Sequence, residues 1–248
     1  MRASRPIMSG RIPDISILLW AEVPSLDQDE NHSSDLHIRV EEAIISLARA
    51  AFAEEGRLVY YGSLSISLLL ATVSAEYVQP LTEEDQYYQT EQAGEQRQPP
   101  LILFVSIPSA NEVKLLDELR LVERAGYAAI LWSTGREYSI DRVIRETQPN
   151  ALVCIGGSEN TLDVINSFRK LRSRLPIVIE TTGGAAQKVA RTRPNDVRIF
   201  DRKILQLLSG QKTRQTGQRF FPEVQWKGIP PYPVIMQQIV EELSKSIR

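Results

Sequence analysis

The sequence contains little of what several classes of protein require. It has one cysteine and two histidines in 248 residues, so it cannot form a disulfide within the chain and has few of the side chains that bind zinc. Its 29 basic and 31 acidic side chains give a net charge of −2, without the positive excess that holds a nucleic-acid backbone. It has no run of about 20 apolar residues to span a bilayer. We therefore expect a soluble cytoplasmic protein that binds neither membranes nor nucleic acids.

The residues that could carry metal or nucleophilic chemistry are isolated from one another. His32 and His37 lie five positions apart with no further ligands near them, whereas a helical metal pair is spaced by four. Surface or capping roles are therefore expected for both histidines, and no metal site is predicted. Cys154 lies within an apolar run and is predicted to be a buried, inert thiol. The chain has no G-x-S-x-G nucleophile turn.

Short apolar runs alternate with segments of helical periodicity along most of the chain. This alternation predicts a mainly parallel sheet covered on both faces, in a Rossmann-like three-layer α/β sandwich. We expect one domain over residues 12–248, preceded by a disordered leader at 1–11. Residues 81–100 are rich in Glu, Gln and Thr and are interpreted as a surface excursion that could act as a flap. The predicted strands are residues 15–20, 57–61, 101–107, 127–132, 151–155 and 175–180.

The first and last helices have the clearest apolar periodicity. Leu36, Val40 and Ile44 begin a helical stripe, and Ser34 or Asp35 is the expected N-cap of that helix. The last helix is predicted over residues 234–247.

Three of the predicted strands end in small, flexible residues. Glycine lets a phosphate approach backbone N–H groups, and each following helix points its positive N-terminus at the same edge. This arrangement predicts a site for an anionic, nucleotide-derived ligand, although a glycine there can also serve only a tight turn. The usual P-loop and G-x-G-x-x-G fingerprints are absent. The candidate ligand-binding residues are Gly62, Ser63, Gly156, Gly157, Ser158, Glu159, Thr182, Gly183 and Gly184, with Arg136 either pairing with a phosphate or lying solvated in its loop.

Three segments resemble one known superfamily. ALVCIGGSENTLDVI, RLVYYGSLSISLLLATV and PIVIETTGGAAQKV are similar to the strand–glycine–helix elements of the SLOG superfamily. That group includes Smf-type DNA-processing proteins, lysine decarboxylase-like phosphoribohydrolases and versions linked to prokaryotic conflict systems. The resemblance implies a Rossmann-like domain that holds a nucleotide derivative. Some members hydrolyse an N-glycosidic bond, and others sense a signalling nucleotide and switch an effector.

The chain departs from the pattern of the enzymatic branch, P-G-G-x-G-T-x-x-E. Asn160 replaces the glycine before the threonine, after one inserted residue, and Val164 occupies the position of the glutamate. Asp163 is one residue early, about 100° around the helix. These departures preserve a ligand site better than a hydrolase.

Three functions remain open at this stage. The first is a sensor of a nucleotide-like small molecule that signals to a separate effector protein or to its own homo-oligomer, in prokaryotic antiviral defence. The second is a nucleotide N-glycosidase in which Glu159 or Asp163 assists release of the base. The third is an interaction subunit with a vestigial pocket. No cofactor is expected beyond the ligand itself.

Overall fold

A computed structural model describes residues 15–23, 30–78, 99–106, 113–133, 139–209 and 228–247. The leader at 1–11, residues 81–98 of the flap and Arg136 lie outside the described residues.

The described chain alternates strands and helices, as the apolar periodicity predicts. The strands are β1 (Ser16–Glu22), β2 (Arg57–Tyr61), β3 (Leu101–Ser106), β4 (Ala129–Ser133), β5 (Ala151–Gly156), β6 (Ile177–Ile179) and β7 (Arg198–Ile199). The helices are α1 (Glu30–Ala53), α2 (Leu64–Ala75), α3 (Val113–Arg124), α4 (Ile140–Thr147), α5 (Thr161–Arg172), α6 (Gly184–Thr192), α7 (Phe200–Leu208) and α8 (Tyr232–Ile247), with a 3₁₀ turn at Glu180–Thr182. None of these helices has the length and apolar character needed to cross a membrane.

The seven strands form one parallel sheet in the order β4-β3-β2-β1-β5-β6-β7. The predicted Rossmann-like α/β architecture is therefore confirmed. In the register of the central pair, Leu18 lies opposite Leu152 and Glu22 opposite Gly156. The carboxyl ends of β1 and β5 thus finish side by side.

Helices cover both faces of the sheet, so strand side chains are buried on either side. On the first face, the alternate residues Ile17, Leu19 and Ala21 of β1 pack with α1, α2, α3, α7 and α8. On the second face, Leu18 and Trp20 pack with α4, α5 and α6. This two-sided burial explains why the strands are continuous apolar runs.

The predicted ends of the strands and of the last helix differ from the observed ones by up to two residues, and two further differences are larger. The prediction of Ser34 or Asp35 as the N-cap of α1 is wrong, because the helix begins at Glu30; its first turn lies before the apolar stripe that marked it. β7 was not predicted, because Arg198–Ile199 is only two residues long and too short to show an alternation.

Candidate functional site

The order of the strands reverses between β1 and β5. β2, β3 and β4 extend the sheet on one side of this pair, and β6 and β7 extend it on the other. The helix after β1 packs on the first face, and the helix after β5 packs on the second. Open parallel sheets bind ligands in the crevice at such a point, beyond the carboxyl ends of the strands. The predicted glycine turns after β2, β5 and β6 lie at this edge of the sheet.

The two glycines after β5 use their N–H groups within the protein. Gly156 donates to Thr182 Oγ1 at 2.8 Å, and Gly157 donates to the Glu22 carbonyl oxygen at 2.9 Å. Both glycines have positive φ, 63° and 92°. Since these two donors are engaged, a bound phosphate would have to use the N–H groups of later residues.

The space beside these glycines is also filled by the protein. A Cβ added to Gly156 would lie 2.4 Å from the Glu22 carbonyl oxygen, and one added to Gly157 would lie 2.3 Å from Thr161 Oγ1. The Thr161 hydroxyl is held there, because it accepts a hydrogen bond from the indole N–H of Trp20 at 3.2 Å. Close packing of the turn is therefore sufficient reason for both glycines.

The turn after β6 packs directly on the turn after β5. The Thr182 hydroxyl donates to the Ile179 carbonyl at 2.6 Å while it accepts from Gly156. The Ala185 N–H donates to the Gly157 carbonyl at 3.1 Å. The two turns consequently form one unit that spans adjacent strands.

The remaining glycines of the β6 turn are in equally close contact. A Cβ on Gly184 would lie 2.8 Å from the Gly157 carbonyl oxygen, and one on Gly183 would lie 2.8 Å from Leu36 Cδ2 of α1. The structure thus brings the candidate residues of β5 and β6 together and joins them to α1.

The turn after β2 is organised by a buried tyrosine. Tyr60 Oη accepts from the Ser63 N–H at 3.0 Å and donates to the Ala21 carbonyl at 3.3 Å. A Cβ on Gly62 would lie 2.3 Å from the same oxygen. The Ser63 hydroxyl caps α2 by accepting from the Ile66 N–H. The β2 turn is therefore also tied to the end of β1.

Burial is the main reason that the pKa of Tyr60 rises to about 12, and the negative charge of Glu22 adds to the rise.

The predicted ligand residues separate into two layers. A buried layer, which shapes the turns, consists of Gly156, Gly157, Thr182 and Gly183. An exposed layer, open to a ligand, consists of Gly62, Ser63, Ser158, Glu159 and Gly184. The second carboxylate considered for catalysis, Asp163, is exposed as well.

Helix α5 begins beside the exposed layer without a side-chain cap. Asn160 is its N-cap, and the Asn160 side chain makes no capping hydrogen bond. By contrast, the hydroxyl of Ser63 caps α2 and that of Ser139 caps α4. The start of a helix carries a partial positive charge and favours anions. Among these three helix starts, the one at α5 is the start that has no side-chain cap.

The sequence matches no model of a known protein family, and a search of curated proteins finds no similar chain. The resemblance to the SLOG superfamily consequently stays a prediction.

Sequence reasoning missed a buried polar cluster behind the β6 turn. Asp201 is fully buried, and its Oδ2 accepts from the Thr181 N–H at 2.7 Å. The hydroxyl of Tyr232, also fully buried, donates to Thr181 Oγ1 at 3.2 Å. Burial raises the pKa of the Asp201 carboxyl, and hydrogen bonds from Thr181 oppose the rise. The partners lie 20 and 51 residues from Thr181, so no local pattern could reveal them.

A salt bridge holds the same turn from its other side. The Arg202 guanidinium binds both carboxylate oxygens of Glu180, at 2.8 Å and 2.7 Å. Arg191 of α6 lies 3.6 Å from the same carboxylate. Two-point contact of this kind fixes direction as well as distance, so α6 and α7 hold the β6 turn in one position.

A basic groove of about 470 Å³ lies at the opposite edge of the sheet, where α5 ends and the chain approaches β6. Arg169 in its wall pairs with Asp196 at 2.9 Å, and Arg174 donates to the Asn150 carbonyl at 3.0 Å. The end of a helix disfavours anions, so this groove is a weaker candidate than the carboxyl edge. Within the described part of the chain, no His, Cys, Asp and Glu side chains cluster as metal ligands.

Proposed function

We propose that the chain binds a nucleotide-derived small molecule at the carboxyl edge of its sheet and acts as a ligand sensor. One observation carries the proposal. The turns after β2 and β5 are bonded to the end of β1, where the strand order reverses, and the β6 turn packs on the β5 turn beside the uncapped start of α5. A crevice at a strand reversal and a helix N-terminus are each suited to nucleotide phosphates.

The binding mode follows from which groups remain accessible. The N–H groups of Gly156 and Gly157 are engaged, so the phosphate would lie against the exposed residue Ser158 at the start of α5, clear of the Glu159 carboxylate, which would repel it. The carboxylates of Glu159 and Asp163 are acceptors that would suit ribose hydroxyls.

The output of such a sensor would pass through the contacts behind the β6 turn. Gly183 packs on Leu36 of α1, and Thr181 is bonded to Tyr232 of α8. A ligand that shifts this turn would move both helices. We propose a separate effector protein or a second copy of the chain as the receiver, in the cytoplasm of a prokaryote and in antiviral defence, a setting supported by the SLOG resemblance alone.

The proposal is tested by a ligand panel. Nucleoside monophosphates, NAD and cyclic nucleotides are added to the purified protein, and melting temperature and free base are followed together. A rise in melting temperature without release of base supports a sensor. Release of base that disappears in Glu159→Gln or Asp163→Asn would replace the sensor with an N-glycosidase. No shift with any member of the panel would leave the interaction subunit as the better description.

A charge variant localises the binding. Asn160→Asp adds a negative charge at the start of α5, which repels phosphate but is favourable for the helix. We expect a ligand Kd at least about five times higher, from one charge at close range, with an unchanged or higher melting temperature of the free protein. Asn166→Asp is the matched control, because it makes the same change at an exposed position of α5, about 9 Å further along the helix. Equal losses in both variants would place the ligand elsewhere.

A further inference from the structure

Two aromatic rings lie together on the second face of the sheet, at the ends of neighbouring strands. The rings of Trp20 and Tyr61 have centroids 6.4 Å apart at an interplanar angle of 46°. Trp20 is almost fully buried at 8% exposure, and its indole N–H is bonded to Thr161 at the start of α5. Tyr61 is the last residue of β2 and is partly exposed. The buried ring supports the outer one, so Tyr61 presents an aromatic surface at the ligand edge in a fixed place.

A carboxylate occupies the neighbouring strand end. Glu22 is the last residue of β1 and is partly exposed. Leu18 and Trp20 pack on the second face, and strand alternation places Glu22 on that face too. Its main chain is fixed by the bond from Gly157 to the Glu22 carbonyl. The fold therefore places a hydrogen-bond acceptor between Tyr61 and the β5 turn.

The third strand end in this row is the start of α5, which packs on the same face. The strand order β2-β1-β5 thus gives an aromatic ring, a carboxylate and a helix N-terminus in succession. Neighbouring strands are about 4.8 Å apart, so the strands β2 and β5 that carry the first and third groups are separated by about 10 Å. A ligand that meets all three needs a flat ring at one end, hydroxyl donors in the middle and an anion at the other end.

We propose that Tyr61 stacks on the base and Glu22 accepts from the ribose hydroxyls of a nucleoside 5′-phosphate whose phosphate lies at the start of α5. This assignment rests on the proposed function; it adds the ligand class and its orientation, and it gives the ribose contact to Glu22 in place of Glu159 and Asp163. Aromatic stacking tolerates any base, because every base has a π-face. A carboxylate accepts hydrogen bonds but cannot donate them, so Glu22 selects sugars that retain their hydroxyl groups.

The test measures affinities by titration calorimetry for the four ribonucleoside 5′-monophosphates, the 2′,3′-dideoxy form of the tightest binder, and ribose 5-phosphate. Tyr61→Leu keeps an apolar side chain against Trp20 but removes the π-face. The affinity for the nucleotide should fall about tenfold, and the affinity for ribose 5-phosphate should change by less than about twofold. Tyr61→Phe should retain nucleotide affinity. Tyr77→Leu is the control for the same substitution at an exposed tyrosine, since Tyr77 contacts Phe52 away from this edge.

Glu22→Gln isolates the ribose contact. In the wild type the ribonucleotide should bind about tenfold more tightly than its dideoxy form, the usual scale for a hydrogen bond to a charged group. Most of that preference should disappear in the variant. Glu42→Gln, at an exposed position of α1, should leave it unchanged. Binding of ribose 5-phosphate by Tyr61→Leu shows that this variant is folded.

The outcomes separate the two proposals. If nucleotides bind but Tyr61→Leu lowers the affinity for ribose 5-phosphate as much as that for the nucleotide, Tyr61 does not hold the base. The assignment of Tyr61 then fails, but the proposed ligand site is retained. An unchanged sugar preference in Glu22→Gln removes the ribose contact in the same way. If the four monophosphates do not bind but a cyclic nucleotide or NAD does, the proposed ligand class and orientation are wrong and the proposed ligand site is retained. If nothing binds, both proposals fall.

Discussion

Replacing Gly184 with alanine tests the packing of the β6 turn against the β5 turn. Gly184 has a φ of +56°, and an added Cβ would lie 2.8 Å from the Gly157 carbonyl oxygen and 3.1 Å from the Gly156 carbonyl carbon. Both contacts are with backbone atoms, so no side-chain rotation can relieve them. The substitution must either push the two turns apart or distort one of them.

The expected decrease in the free energy of unfolding of Gly184→Ala has two parts. Holding an alanine in the left-handed region costs about 1–2 kcal/mol, and forcing a methyl group into a packed site adds about 1–3 kcal/mol. Gly228 supplies the matched control, because its φ is +94° and no atom lies within 4 Å of its added Cβ. Gly228→Ala shares the strain and the change in unfolded-state entropy. The difference between the two variants therefore isolates the contact, at about 1–3 kcal/mol.

The measurement is urea unfolding followed by circular dichroism, with the free energy of unfolding extrapolated to water. Gly184→Ala should be the less stable variant, and its melting temperature should be lower by about 2–4 °C for each kcal/mol of difference. A Gly184→Ala variant as stable as Gly228→Ala would refute the close contact between the turns. The β5 and β6 turns would then not form one closely packed unit.

Three further predictions concern buried groups. Burial raises the pKa of Asp201, so the folded state keeps the proton of this carboxyl to a higher pH than the unfolded state does. As pH rises above about 4, the wild type should therefore lose stability relative to Asp201→Asn. Urea unfolding at pH 4 and pH 7 measures this difference, and the opposite trend would contradict the prediction. Tyr60→Phe leaves the Ser63 N–H and the Ala21 carbonyl without their hydroxyl partner. The free energy of unfolding, measured by the same assay, should fall by about 1–3 kcal/mol. An unchanged midpoint would show that water replaces the tyrosine hydroxyl. Cys154 is fully buried, which raises its thiol pKa, so an aromatic disulfide reagent should label it only as fast as the protein unfolds; rapid labelling of the native protein would show an open strand.

The sheet could be predicted because its strands are buried on both faces and therefore appear as continuous apolar runs. Residues 57–61 were predicted as a strand and form β2 without change. β7 could not be found, since Arg198–Ile199 is too short for a periodic signal. Its place in the sheet depends on pairing with β6, which is a tertiary contact.

The sequence predicts the location of the candidate site but not its contacts. A glycine after a strand indicates that another group approaches the backbone closely, and the sequence cannot distinguish a phosphate from the protein's own atoms. Here the Gly157 turn is filled by Thr161, and the Gly62 turn by Tyr60. The bond from Gly156 to Thr182 joins residues 26 apart. Such contacts follow from the strand order, which is visible only in the folded chain.

The central position of β1 has a consequence for synthesis of the protein. One edge of β1 pairs with β2, but its other edge waits for β5; Ser16 and its hydrogen-bonding partner Asn150 are 134 residues apart. Synthesis of that length at ribosomal rates takes roughly 7–27 s. During that interval one edge of β1 presents unpaired backbone in the incomplete sheet, which is the usual template for aggregation. Nascent chains that stall before residue 151 should therefore be the form of this protein that most needs a chaperone.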